Sequence, residues 1–325
     1  MQCAPGSNTE HELRKPMKIQ LGDAVVTSIY ERDLDNVPFI IPDAQPEALT
    51  ELAWLRPHYV DAAGEPLGVV QAFVIQTVGH VVLVDCCIGD CKDITVIEAW
   101  AHSRTGFLDR LRAAGFEPGQ IDLVLCTHMH PDHVGWNTSW TDEGWRPTFP
   151  NARYLFARSE FEHWQKVILT PVPTPDEQAD VIEHALAQFH QTQINVFAQS
   201  IRPIVAAGLV DLVDLPTEVV AGVSLVPTPG HTPGHLSIRV QSVGEEALIS
   251  GDTFHHPCQI ARPGWASLSD DDPDQSIATR RELLADLADM PITFIGTHFA
   301  PPCHGRIISD RVGGYRFQPA PEDDH

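Results

Sequence analysis

The sequence predicts an α/β protein built on mixed β-sheets. Short β-rich apolar runs recur along the chain and end in polar, Gly-containing loops. Helical stretches fall between them, the pattern of layered α/β architecture. Two of the runs flank Thr77-Val-Gly-His80, which is hairpin spacing, so antiparallel neighbours join parallel ones.

In chain order, buried strands are expected at Val69–Thr77, Val81–Asp85, Ile121–Thr127, Arg153–Phe156, Gly222–Pro227, Ala247–Ser250 and Ile292–Gly296. Helices are expected at Val96–Ala114, Ser159–Lys166, Asp176–Ala206 and Ser276–Asp289. In the last, Asp274 and Ser276 are candidate N-caps, and Ile277, Leu283, Leu284 and Leu287 form an apolar stripe. The Pro-rich segment Thr170–Asp176 breaks the chain before a long helical stretch, which reads as a lid and not as a domain boundary. The expected organisation is a flexible leader over 1–18, one domain over 19–315 with a helical lid around 159–207, and a loose tail over 316–325.

Composition narrows the function. Of 325 residues, 43 % are apolar and 20 % charged, close to a soluble globular average. No run is long enough for a membrane helix, and the first residues hold no apolar signal core. With 21 basic and 44 acidic residues the formal charge is −23, which disfavours nucleic acid and anionic membranes as partners. The seven cysteines show no framework spacing and read as reduced thiols, hence a cytoplasmic protein.

The sharpest signal is Thr127-His-Met-His-Pro-Asp-His-Val-Gly135, on the loop leaving the strand that ends near Cys126. Imidazole nitrogens and carboxylate oxygens suit Zn²⁺ and related ions. Alternate residues of an extended loop can point the same way, so His128 and His130 can grip one ion, and Asp132 and His133 can reach a second. One motif holds too few ligands for two ions. Three further candidates follow apolar strands: His231 in Pro229-Gly-His-Thr-Pro-Gly-His235, Asp252 in Ser250-Gly-Asp-Thr253, and His298 in Gly296-Thr-His-Phe299. Alone, each would more often be a cap or a packing residue. Together and in this order they read as ligands.

These motifs resemble the metallo-β-lactamase superfamily over roughly residues 20 to 312. The resemblance implies an αββα sandwich of two mixed β-sheets flanked by helices. It implies two Zn²⁺ per chain, with Mn²⁺, Co²⁺ or Fe²⁺ as alternatives. His128, His130 and His231 would hold the first ion, and Asp132, His133 and His298 the second, with Asp252 bridging. Asp85 matches an early strand-end aspartate of structural role. The chain departs from the usual Asp-Thr-Gly there, reading Asp85-Cys-Cys.

Within the superfamily the chain is similar to acyl-homoserine-lactone lactonases and methyl parathion hydrolase-like enzymes. Flavodiiron sites carry Glu where His130 stands. Glyoxalase II adds a basic glutathione-binding region that the stretch after His298 does not show. Lactonases place Tyr three residues after the bridging Asp, where this chain has His255. The implied reaction is attack of a hydroxide bridging two zinc ions on a lactone or ester carbonyl, with Asp132 relaying the proton and His255 donating a hydrogen bond to the substrate oxygen. Phosphotriester or dehalogenating hydrolysis on the same scaffold is the alternative, and a non-catalytic metal-stabilised binder is a third. His235 is expected to orient the loop. Trp164, Phe189 and Phe197 of the lid, the segment Val37–Ile41 and Trp136, Trp140 and Trp145 are candidate pocket walls, with core and homodimer-contact roles left open. The expected partner is a small-molecule ester or lactone, which for an acyl-homoserine lactone would mean quorum quenching.

Overall fold

The structure is a computed structural model and describes residues 16–34, 36–176, 179–310 and 313–321. The first strands are β1 (Lys18–Leu21), β2 (Ala24–Leu34), β3 (Gly68–Thr77), β4 (His80–Val84), β5 (Leu123–Leu125), β6 (Thr138–Thr141), β7 (Gly144–Pro147), β8 (Arg153–Ala157) and β9 (Val210–Val213). There follow β10 (Thr217–Val220), β11 (Val223–Pro227), β12 (Leu236–Ser242), β13 (Glu245–Ile249), β14 (Ile292–Ile295), β15 (His304–Ser309) and β16 (Tyr315–Pro319). The helices are α1 (Val37–Ile40), α2 (Pro46–Leu49), α3 (Phe107–Ala113), α4 (Pro131–Val134), α5 (Arg158–Val167), α6 (Val181–Val196), α7 (Arg202–Ala206), α8 (Cys258–Ala261) and α9 (Pro273–Leu287).

Two seven-stranded sheets have the orders β1-β2-β3-β4-β5-β8-β9 and β10 to β16, and β6 pairs β7 in a ribbon. Both large sheets are mixed. In the first, β3 and β4 form the expected hairpin, with Phe73 opposite Val84, while β4, β5, β8 and β9 are parallel. In the second, β13 and β14 are the parallel pair. Helices flank both: α5 packs on β8, and α9 on β15.

The chain divides into two compact units. Thr27–Glu31 and Ala72–Val213 belong to the first, Met17–Val26, Arg32–Gln71 and the chain from Asp214 to the second. In the first unit, Val82, Leu83, Val84, Val124, Tyr154 and Phe156 are buried, as expected for parallel strands covered on both faces. Loops at the C-terminal ends of such strands are where α/β proteins build sites. The second unit centres on Val223, Leu225, Ile238, Val240, Leu248 and Ile249. Beside them Tyr59, Phe294, Phe299 and Phe317 interlock at 5.3 to 6.4 Å between ring centroids. The Tyr59 hydroxyl donates to the Pro302 carbonyl at 2.7 Å.

Several expectations need correction. The helix at Val96–Ala114 shrinks to α3 and a short 3-10 turn at Glu98–Trp100. The N–H groups of Thr95 and Val96 donate to Thr192 Oγ1, and Gly106 turns the chain with φ +71°, so α3 starts only after it. The cap of α9 is Asp272, whose side chain accepts from Gln275 N–H, two residues before Asp274 and four before Ser276, with Pro273 in the first position. Its inward face is Ser276, Arg280, Leu284 and Leu287, with Ile277 and Leu283 only half-buried. Residues 315–319 are not loose: β16 pairs with β15, Phe317 opposite Ile307. Lys18 opens β1, while residues 1–15 and 322–325 of the expected leader and tail lie outside the described residues. Cys91 is disulfide-bonded, which overturns the reduced-thiol reading there and removes support for a cytoplasmic location. Cys86, Cys87, Cys126, Cys258 and Cys303 are free and buried. Among the described residues no helix is long and apolar enough to cross a membrane.

Candidate metal centre

The first unit gathers His128, His130, Asp132 and His133 at the end of β5. Pro131 opens α4, so Asp132 and His133 lie in its first turn. The His128 ring lies 4.5 Å from that of His130 and 4.0 Å from that of His133. Asp132 Oδ2 is 3.7 Å from His133 Nε2. Asp85, fully buried at the end of β4, orders this cluster. It accepts the Thr127 N–H at 2.8 Å, and its Oδ2 accepts His133 Nδ1–H at 2.9 Å. The Thr127 hydroxyl donates to the same carboxylate and accepts from His128 Nδ1 at 3.0 Å.

The backbone pins the same loop. Cys86 N–H donates to the His133 carbonyl, Gly135 N–H to that of Cys87, and Trp136 N–H to that of Cys86, each at 2.7 Å. The approach is close enough that a Cβ on Gly135 would meet the Ile88 carbonyl oxygen at 1.8 Å.

Two buried glutamates brace the unit, and sequence reasoning missed both. Glu160 Oε1 accepts Met129 N–H at 2.9 Å and the Trp164 indole N–H at 2.7 Å. Glu31 accepts from Ile88 and Gly89 N–H, the Trp136 indole and the Thr105 hydroxyl. Burial pushes the Glu31 carboxyl up, and these four bonds oppose it. Trp136 is therefore a bracing residue, stacked on Phe107 at 5.7 Å. Of the other candidate walls, Trp164 and Phe189 flank the His130 ring at 5.5 and 5.1 Å, Phe197 packs on Phe161, and Trp140 packs on Trp145 in the ribbon. Of the segment Val37–Ile41, Val37 and Ile41 are buried, while Pro38, Phe39 and Ile40 between them are half-buried.

The second unit gathers His231, Asp252, His255 and His298, each from a different loop except for the pair 252 and 255. Asp252 is 3 % exposed. Its Oδ1 lies 3.1 Å from His298 Nε2, and its Oδ2 lies 3.5 Å from His231 Nε2 and 3.4 Å from His255 Nε2. His231 Nδ1–H donates to Asp270 Oδ1 at 2.9 Å, and His298 Nδ1–H to the Val69 carbonyl at 2.8 Å. His235 orients the loop as expected: its Nε2 accepts the Asp252 N–H at 2.8 Å. Gly251, at φ +56°, permits that approach, because a Cβ there would lie 2.5 Å from His235 Nε2. Asp270 was hidden from sequence reasoning in an acidic run. Burial raises its carboxyl, but His231, His255 and the Ser267 N–H together bring it to about 2.

The donor sets fit divalent metal ions. In both units the Nδ1 of a candidate ligand is held by a carboxylate, a carbonyl or a hydroxyl: His128 by Thr127, His133 by Asp85, His231 by Asp270, His298 by Val69. That arrangement fixes Nε2 as the ligand atom and is the usual support of metal-bound histidine. Nitrogen and oxygen donors suit zinc and its neighbours in the first transition row.

The model of the metallo-beta-lactamase superfamily matches residues 66–297. The chain belongs to this superfamily. Its curated relatives include an N-acyl homoserine lactonase of a Bacillus species, 26 % identical over 132 residues, 41 % of this chain and 38 % of that enzyme. The lactonase AttM of Rhizobium radiobacter is 26 % identical over 172 residues, 49 % of this chain and 52 % of the relative. The chain thus spans about half or less of these relatives' lengths. Among solved structures, the superfamily hydrolase AbOPH superposes with TM-score 0.76 at 25 % identity, covering 95 % of this chain and 98 % of that one. AidC, described as a dizinc quorum-quenching lactonase, shares the fold at TM-score 0.75 and 21 % identity, covering 94 % and 97 %. Two large mixed sheets flanked by helices are the superfamily's architecture, as the sequence implied.

Proposed function

We propose that this superfamily member is a dinuclear metallohydrolase that opens a lactone or other carboxylic ester. The observation that carries the reading is the Asp252 carboxylate, buried against the Nε2 atoms of His231, His255 and His298 within 3.1 to 3.5 Å. A buried carboxylate with converging imidazoles is costly without a cation to share. The proposed ligands are His128, His130, Asp132, His133, His231, Asp252 and His298. Two divalent ions, with zinc first, would supply Lewis acidity toward the substrate oxygen and make water a stronger acid.

The chain's own residues do the rest. Asp85, Asp270 and the Val69 carbonyl hold three of the imidazole rings in place. Asp132, with a side chain 13 % exposed, is reachable from solvent, so its carboxylate can take a proton and return it to the leaving alkoxide. Trp164 and Phe189, beside His130, offer an apolar wall for an acyl or aryl group. The names of the lactonase relatives support an acyl-homoserine lactone as substrate, and the activity would then be quorum quenching. A second reading, phosphotriester hydrolysis, draws support from His255 standing where the lactonases resembled above carry Tyr.

The test is elemental analysis followed by steady-state kinetics on lactones, aryl esters and phosphotriesters. The expected result is about two ions per chain and lactone or ester turnover that chelation abolishes and Zn²⁺ restores. A protein loaded with two ions that turns over none of these substrates overturns the reading.

A further inference from the structure

His255 is the member of the second cluster that the seven-residue ligand set leaves out. It is 3 % exposed, and neither ring nitrogen has a hydrogen-bond partner. A buried imidazole in that state needs an explanation. Its surroundings are made of proposed ligands. The ring lies parallel to that of His298, at 4° and 6.1 Å, and meets the His231 ring at 4.9 Å. The donor atoms of His231, Asp252 and His255 all lie within 4.8 Å of one another.

The distance to Asp252 decides the chemistry. At 3.4 Å, Nε2 to Oδ2 is long for an N–H···O bond. Two atoms bound at ~2.0–2.1 Å to one tetrahedral ion stand about 3.3 Å apart. His231 Nε2 keeps nearly the same spacing from the same oxygen, 3.5 Å. The backbone sets this position: His255 N–H donates to Gln259 Oε1 at 2.7 Å, and Gln259 Nε2 donates to the Trp265 carbonyl at 2.9 Å.

We propose that His255 is a metal ligand, sharing one ion with His231 and Asp252, and not the hydrogen-bond donor that the +3 position suggests. The inference rests on the metallohydrolase reading and adds an imidazole to its ligand set.

The test is Co²⁺ loading of the full-length protein, read by NMR and by chelator competition. Exchangeable, hyperfine-shifted imidazole N–H resonances are counted in the wild-type protein. Six ligating imidazoles are expected, from His128, His130, His133, His231, His255 and His298, against five without His255. His255→Ala should lose one resonance and weaken one of two binding steps by about 10- to 100-fold or more. His256→Gln should keep both ions, because His256 Nε2 faces the Tyr59 carbonyl. Five resonances in the wild type, or unchanged Co²⁺ affinity in a folded His255→Ala, overturns the inference. If His255→Ala does not fold, the wild-type count decides. Failure to take up Co²⁺ at all overturns the metallohydrolase reading itself, a different result from the count of five.

Discussion

The two clusters solve the same chemical problem by opposite routes. In the first unit, four candidate ligands sit within six consecutive residues, and one loop with a short helical turn presents them. In the second, they come from the ends of β11, β13 and β14, and the spacing depends on the sheet. The first is therefore presented locally, and braced by Asp85, backbone bonds and two buried glutamates. The second is a tertiary device, braced by Asp270, His235 and a main-chain carbonyl. Damage to a brace should stay local in the first unit and spread into the fold in the second.

The largest effect tests the centre of the tertiary cluster. Asp252→Ala should lower turnover by ~10² or more and reduce metal content, because three imidazoles lose the anion they surround. Near-normal kinetics with full metal occupancy would show that the carboxylate is misassigned.

A paired comparison of braces comes next. Asp85→Asn and Asp270→Asn should each weaken metal binding by about 10- to 100-fold. They should differ in apo stability. Asp270 lies 3.9 Å from the fully buried Arg280 guanidinium, so Asp270→Asn leaves a cation under-compensated at a cost of about 3 kcal/mol. Asp85 bonds Thr127 and His133 instead, so its loss should cost less. Equal thermal midpoints of the two apo variants would break the contrast between local and tertiary.

A smaller effect is expected at Glu160. Glu160→Ala strands the Met129 and Trp164 N–H donors, at about 1–3 kcal/mol, whereas Glu160→Gln keeps an acceptor oxygen and should recover most of it. Urea titration of both variants checks this ordering.

The smallest effect is a control away from both clusters. Asp211 accepts the Arg153 guanidinium, and this bond holds its carboxyl below the ordinary value. Its stabilising contribution is complete above the unfolded value near ~3.9 and fades as pH falls through the lower folded value. The side chains are 40 and 48 % exposed, so Asp211→Asn should cost under about 1 kcal/mol at pH 7 and nothing in strong acid. A deficit that grows on acidification would reverse the sign of the linkage.

The contrast also explains what was legible. The histidine motif was visible because its chemistry is concentrated in one stretch, and β3, β4, β8, β11, β13 and β14 because buried strands are apolar runs with Gly or Pro at their ends. The helix expected before α3 was not, because Thr192, almost a hundred residues away, takes its N–H groups. Asp270, Glu160 and Glu31 were hidden for a related reason. An acidic residue in an acidic chain reads as solvated surface, and only the fold shows that it is buried. The Val69 carbonyl that holds His298 carries no side-chain signal at all.

The backbone staple of the first unit has a consequence for which substitutions the site tolerates. Cys86 and Cys87 reach the candidate metal-binding loop through their N–H and C=O groups, at 2.7 Å, so these contacts do not depend on the identity of their side chains. Cys87 sits at φ +43°, a left-handed conformation that favours glycine, so its backbone and not its side-chain contacts limits what can replace it. Gly135 is the opposite case. With the Ile88 carbonyl where a Cβ would go, it permits no drift, and the loop's freedom to vary ends at that one residue.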